Sequence, residues 1–196
     1  LLTEDPVKTE GGLSSGNAGE SSNFLCYRAL RLNYYAVTGL LARVCLYAGQ
    51  RENAFNYSTE VIKASNNGIF PFVDRSLVNG TAQDPDRIFS PEVLFALSDS
   101  QRGELFEEYF DPSLAPNMVF RMETDLLEQT IYGGTGTGGN LDDYRCRSNW
   151  ISSGSARYFY KYSDMTESGR IENTMIPLLR LGEMYLIAAE SQSNSL

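Results

Sequence analysis

Arg180, Glu183 and Glu190 stand three and seven residues apart in one apolar stretch with helical spacing. Two carboxylates on one helix face could divide general acid and base work, as in glycoside hydrolysis. The preferred reading is structural: an Arg–Glu pair knitting helices together, with Arg43 of an earlier helix as a further partner. Asp142, Asp143 and Arg145 pose the same choice. Clustered carboxylates suit a hard cation such as calcium, and an ion pair beside a turn is the preferred alternative. Gly133 to Gly139 form a glycine-rich run that could cradle phosphate. It lacks the following Lys-Ser/Thr and a preceding buried strand, so an exposed loop is expected. Trp150 is the sole tryptophan and follows Ser148-Asn149. A flat aromatic face can stack on the apolar face of a sugar ring, while its polar edge and nearby amides bind hydroxyls. Trp150, Tyr132 and Tyr144 flank the glycine-rich run, with Asn140 and Asn149 close in sequence. These five are the candidate ligand contacts. The competing reading packs Trp150 in a core and ends a helix at Tyr132.

Composition narrows the chemistry. The 196 residues contain no histidine, so Ser-His-Asp and Cys-His nucleophilic sites and the usual His-containing zinc sites cannot be built. Lys+Arg 16 against Asp+Glu 25 gives a net charge of −9, which is not the footprint of a nucleic-acid-binding surface. Cys26, Cys45 and Cys146 are an odd, widely spaced set, neither a disulfide framework nor a metal knuckle. Cys45 is expected to pack as a small hydrophobe, and Met118, Met122 and Met175 as core fillers. Apolar residues at 42% supply enough material for a core.

The elements that must position these residues are mostly helical. Residues 8–23 read as a Gly/Ser/Asn-rich loop. From about Phe24 the pattern turns helical, and Leu30, Tyr34, Val37, Leu41, Val44, Cys45 and Ala48 share one face. Gly39 and Ala42, small and one turn apart, would let a neighbouring helix approach closely. Gly49 ends this helix in the left-handed region. A second stripe through Ala54, Phe55, Tyr57, Ser58, Val61 and Ile62 runs to Asn66-Asn67-Gly68, making an αα-hairpin. Leu41, Ala42, Cys45, Gly49, Ala54 and Val61 fall where a tetratricopeptide unit wants its large, small and turn residues. No second copy at that period is visible.

Beyond the hairpin the pattern is less regular. Ile69 to Val73 is an apolar run interrupted by Pro71, hence extended or an edge strand. Asn79-Gly80 is a turn signal. Glu92 to Leu97 is a buried strand or a short helix, which periodicity cannot separate. Short helices are expected over Gly103–Phe110 and Glu123–Ile131, and a strand near Arg157–Tyr162. Pro177 fits a helix first turn, opening a buried helix through Leu178, Leu181, Met184, Tyr185, Ile187 and Ala188. Val37 to Ala48, the densest apolar stretch, contains Arg43 and is too short to span a bilayer. The chain starts at Leu1-Leu2-Thr3 without an initiator Met, a basic region or an apolar leader.

Five stretches in order resemble the signatures of the SusD/RagB family of outer-membrane nutrient-binding lipoproteins. They are Leu32 to Gly49, Glu92 to Leu97, Asp142 to Arg145, Tyr158 to Tyr162 and Met175 to Glu190. The last, Met-Ile-Pro-Leu-Leu-Arg-Leu-Gly-Glu-Met-Tyr-Leu-Ile-Ala-Ala-Glu, is the most specific, and the likeness covers roughly residues 30–190.

The resemblance implies a mainly α fold of tetratricopeptide-like helix pairs, a right-handed α-α superhelix, with a loop-rich ligand-facing portion. Residues 1–196 are read as one portion of such a domain: a hairpin over 24–66, a loop-rich portion over 67–170 and a packing helix over 174–193. It also implies capture of oligosaccharides or other nutrients at the cell surface. The ligand would pass to a TonB-dependent (SusC-like) outer-membrane transporter, without catalysis or cofactor. The chain is shorter than a family member and shows neither signal peptide nor lipidated cysteine. A fragment or trimmed chain is therefore expected, with the lipid anchor on the precursor. The alternative is a tetratricopeptide-type protein-interaction scaffold, which needs several consecutive units. A glycoside hydrolase is a third possibility, opposed by the structural look of its carboxylates.

Overall fold

Helical spacing dominates the sequence, and the computed structural model is mainly α with short strands. It describes residues 5–15, 23–78, 84–133, 143–167 and 169–192. In chain order the elements are α1 (Val7–Glu10), α2 (Tyr34–Tyr47), α3 (Arg51–Asn66), α4 (Arg75–Val78), β1 (Val93–Ser98), α5 (Arg102–Tyr109), β2 (Arg121–Glu123), α6 (Tyr144–Ser148), β3 (Trp150–Ser153), β4 (Ala156–Phe159), β5 (Met175–Arg180) and α7 (Leu181–Gln192). A wide π-type helical segment spans Leu126–Ile131, and short 3-10 turns occupy Asn23–Leu25, Arg28–Leu30, Ser90–Glu92 and Ile171–Thr174. The chain divides into two compact units. One comprises Leu1–Phe72, Ser90–Ser98 and Ile176–Leu196; the other comprises Val73–Phe89 and Asp99–Met175.

In the first unit, α2 does not begin at Phe24. Two 3-10 turns precede it, and the helix starts where Asn33 can cap it. The Asn33 side chain accepts a hydrogen bond from Ala36 N at 2.9 Å and donates to Arg28 O and to Leu94 O at 2.9 and 2.8 Å. One fully buried amide thus caps α2 and ties it to β1. Both hairpin helices stop by the same device. Gly49 (φ 73°) and Gly68 (φ 84°) take left-handed conformations that a side chain would disfavour. The bonds Gly49 N to Leu46 O and Gln50 N to Cys45 O close the first helix, and Gly68 N to Ser65 O and Ile69 N to Ala64 O close the second.

The buried stripe of α2 differs from the sequence expectation. Ala36, Thr38, Gly39, Ala42 and Cys45 face inward, while Leu41 and Val44 are exposed. The small residues win the interior because they let neighbouring elements close in. A Cβ on Gly39 would lie 2.8 Å from Leu179 Cδ2 and 3.2 Å from Met184 Sδ, and 3.5 Å from Leu94 Cδ1. The close approach is made by the strand residues Leu94 and Leu179 as well as by a helix. Around α2, α3 and α7 the core gathers Val7, Ala42, Cys45, Ala54, Val61, Phe70, Leu94, Leu179, Leu181, Met184 and Ile187. Burying a Leu, Ile or Met side chain of this kind contributes about 1.5–3 kcal/mol each.

Pro177 does not open a helix. It lies within β5, which pairs with β1 in a two-stranded sheet, and α7 starts at Leu181. In a sheet of two strands every strand is an edge, so a residue without an N–H is tolerated there. Glu92–Leu97, ambiguous in sequence, resolves as the strand β1, with Val93, Leu94 and Ala96 buried.

In the second unit, β2, β4 and β3 form an antiparallel sheet in the order β2-β4-β3. Arg121 faces Tyr158 across β2 and β4, and Trp150 faces Phe159 across β3 and β4. The β3–β4 hairpin turns through Gly154-Ser155, with Gly154 at φ 62° as a two-residue II′ connection needs. Val119, Ala156 and Tyr158 pack together with Leu114 and Ile151, and Val73, Val78 and Phe89 pack with Tyr144. Helix α5 and the helical segment near Leu126 fall where the sequence places them. Met175 is fully buried, but Met118 is exposed and fills no core. It lies in a turn, Met118 N bonding Ala115 O, and not on a packed face. Among the described residues no helix is long and apolar enough to cross a membrane.

Candidate functional site

Two of the carboxylates singled out for chemistry, Glu183 and Asp143, are held by arginines. Glu183 takes Arg43 in a two-pronged pair, Nε at 2.6 Å and Nη2 at 2.7 Å, and Arg43 Nη2 also reaches Leu178 O at 3.1 Å. Arg180 does not pair with Glu183. It binds Glu92 at 3.0 Å, joining the start of β1 to the end of β5. Asp143 caps α6 through Arg145 N at 2.9 Å, and its carboxylate takes the Arg145 side chain at 3.0 and 2.6 Å. That arginine holds the Asp143 carboxyl below its ordinary range. Glu128 pairs with Arg157. Asp142 lies outside the described residues. Among the described residues no group of three His, Cys, Asp or Glu side chains is placed to hold a metal ion.

Of the five candidate ligand contacts, the structure brings Trp150 and Tyr132 together. The Trp150 indole N–H donates to Tyr132 Oη at 3.3 Å. Trp150 opens β3 and is only 7% exposed. Its ring packs 5.3 Å from Phe159 and 5.7 Å from Phe120, centroid to centroid. Phe120, which precedes β2, is 51% exposed and forms the open edge of this group. Burial raises the Tyr132 hydroxyl above its usual value, against the opposing bond from Trp150. The Arg145 guanidinium lies 5.9 Å from the Tyr132 ring centroid.

Asn149 is buried; its backbone O accepts from Tyr160 N at 2.8 Å, extending the β3–β4 pairing by one bond, and Ser148 Oγ lies 3.2 Å from its Oδ1. Tyr144 begins α6 and packs against the Val73, Val78 and Phe89 group. Asn140 and the glycine-rich run beyond Gly133 lie outside the described residues.

Sequence reasoning missed the extent of the aromatic group. From Phe159 it continues to Tyr162 and to Phe110, then through Phe106 to Tyr160, with centroid spacings of 5.0–6.3 Å. The signal was present in the alternation Tyr158-Phe159-Tyr160-Lys161-Tyr162, but its partners Phe106, Phe110 and Phe120 come from distant segments.

A concavity lies on the first unit. A cavity of about 500 Å³ is lined by Arg43, Leu46, Tyr47, Glu183, Leu186, Ile187 and Glu190. Tyr47 and Leu186 are the most exposed large side chains there.

No family model matches the chain, and no curated protein matches it. Among solved structures, it is similar to a SusD-like carbohydrate-binding protein from Bacteroides vulgatus ATCC 8482. The likeness has 19% sequence identity and a TM-score of 0.48, covering 92% of this chain and 36% of that one. The chain thus spans little more than a third of the structure it matches.

Proposed function

We propose that the chain is part of a SusD/RagB-type outer-membrane lipoprotein that captures glycan at the cell surface and delivers it to a TonB-dependent, SusC-like transporter. The observation that carries glycan binding is the aromatic group of the second unit, with Phe120 half open to solvent beside Trp150. A pyranose stacks on such a face while hydroxyl and amide groups beside it take hydrogen bonds. The ordered five-segment resemblance supports the same reading. The ligand region is Trp150, Tyr132, Tyr144, Asn149 and Asn140. Phe120 offers the open face, and Trp150 supports it from beneath.

The use of four carboxylates as arginine partners supports binding without bond breaking. Glu92, Glu128, Glu183 and Asp143 are each engaged by an arginine. A general acid for glycoside cleavage needs its proton retained near neutral pH, and a guanidinium partner works against that. The tetratricopeptide scaffold would use the cavity on the first unit. It is the weaker reading, because α2 and α3 supply one hairpin and an adaptor groove needs several.

Titration of a glycan panel, read by Trp150 fluorescence and calorimetry, tests the proposal. A binding glycan is expected to shift the emission, and Phe120→Ala to weaken binding at least about tenfold, near 1.4 kcal/mol. A panel that neither binds nor perturbs Trp150 would overturn it, and release of hydrolysis products would overturn the binding-only role. Delivery is tested by co-isolation of the precursor with a β-barrel transporter from outer membranes.

A further inference from the structure

Arg87 differs from several other buried or half-buried arginines. Arg28, Arg43, Arg102, Arg157, Arg170 and Arg180 each have a carboxylate partner within salt-bridge distance. Among the described residues none pairs with Arg87. Its Nε is buried without a hydrogen-bond partner, as are those of Arg102, Arg157 and Arg180. Asp84, the nearest carboxylate in electrostatic effect, accepts instead from Thr166 N at 3.0 Å and Glu167 N at 3.4 Å. Burial pulls the Arg87 guanidinium below its ordinary value.

The guanidinium is nevertheless fixed in place. It lies 5.0 Å from the centroid of the Tyr160 ring, and Tyr160 packs edge-on to Phe106 at 5.0 Å. The loop carrying it is pinned on its far side. Asp86 Oδ1 accepts from Ile88 N at 3.1 Å. The buried Phe89 adopts φ 58°, a strained conformation for a bulky side chain that persists only where its surroundings impose it. An arginine with no carboxylate in salt-bridge contact, set over a tyrosine ring within an aromatic group, offers a fork for an anion.

We propose that Arg87 and Tyr160 form an anion-recognising subsite and that the glycan taken by this unit carries a carboxylate or a sulfate: a uronic-acid-containing or sulfated oligosaccharide. This rests on the glycan-binding reading above. Tyr160 stacks on the sugar or supports the fork, and Arg87 pairs with the anionic group in a desolvated setting. The net charge of −9 repels such a ligand at long range. Discrimination is therefore short-range, and moderate salt speeds association by screening the repulsion.

The test compares charged and charge-free members of matched pairs on the full chain. Tetragalacturonate is set against its methyl ester, and a sulfated galactan tetrasaccharide against its desulfated counterpart. In at least one pair the charged member is expected to bind ten times tighter or more; the pair that responds distinguishes carboxylate from sulfate. Arg87→Gln should erase the preference, and Arg87→Lys should retain part of it. Neutral members binding as well as charged ones, or a preference that survives Arg87→Gln, overturns the subsite and leaves the glycan reading standing. Binding by no member of any pair overturns both. Should Arg87→Gln fail to fold, the wild-type ratio decides, together with Tyr160→Leu, which should cut charged-ligand binding.

Discussion

At the scale of single residues, the side chains that matter most to stability are charged and inside. Asp5 accepts Arg28 Nε at 2.9 Å and Nη2 at 3.0 Å, and also Val7 N and Tyr34 N at 3.1 and 2.9 Å. The side chains of Arg28 and Asp5 are 7% and 3% exposed. Removing one partner of such a pair leaves a buried charge unpaired, so Asp5→Asn should cost about 3 kcal/mol at pH 6 in chemical denaturation. Burial opposes ionisation of Asp5, but the guanidinium and two backbone N–H groups outweigh it and hold the carboxyl below its ordinary value. The native state therefore binds this proton less readily than the unfolded chain. The stabilisation is present above the unfolded value near 4 and fades as pH falls through the lower native one. Denaturation of both proteins at pH 6 and pH 3 checks this: the gap should be wide at the first and narrow at the second. Arg43 with Glu183 is different, because both side chains are about a third exposed. Water screens that pair, and its loss should cost about 1 kcal/mol or less.

At the scale of elements, two glycines separate backbone need from packing need. Gly182, in the first turn of α7, has no neighbouring atom within 4 Å of where a methyl would sit and no left-handed backbone. Gly182→Ala should stabilise by roughly 0.5–1 kcal/mol through helix propensity and a less flexible unfolded chain. Gly49 is equally open but sits at φ 73°, so Gly49→Ala should destabilise by about 1 kcal/mol. Thermal denaturation curves of the two variants moving in the same direction would contradict this contrast. The hairpin was legible in sequence because Gly49 and Gly68 punctuate two periodic runs. The inward face of α2 was not, because counting large apolar residues favours Leu41 and Val44, while the close approach at Gly39 is set by residues far along the chain. Pro177 misled for a similar reason: proline suits a helix start and a sheet edge alike, and only the pairing with β1 decides. The β3–β4 hairpin had a signal in Gly154-Ser155 that the alternation after Arg157 overshadowed. The candidate site was legible as a region, since Trp150 and Tyr132 do meet. Phe120 and Arg87 were not, because their neighbours are fixed by tertiary structure.

At the scale of the whole molecule, the absence of histidine makes a sharp statement about pH. Ordinary carboxylates finish titrating by about pH 5.5, and cysteine and tyrosine begin well above 7. Burial moves Cys146 upward, and Tyr34, Tyr35 and Tyr132 also shift up, away from neutrality. The carboxylates with a resolved shift, Asp5, Asp74, Asp111 and Asp143, all move down. None of these shifts carries a group into the window between about pH 5.5 and 7, so these groups leave stability there flat. Melting temperatures across that window are expected to agree within about 2 °C. A hydrolase would behave otherwise. A general acid poised near pH 6.5 keeps its proton in the native state after the unfolded chain has lost it, so stability falls as pH rises through that value. A shift of about two units is worth about 2.7 kcal/mol, which for a chain of this size is a drop of about 5–10 °C. A flat profile agrees with carboxylates serving as arginine-held struts in a binding protein. A descending one would identify a carboxylate kept protonated for chemistry and would return the two-carboxylate mechanism to first place.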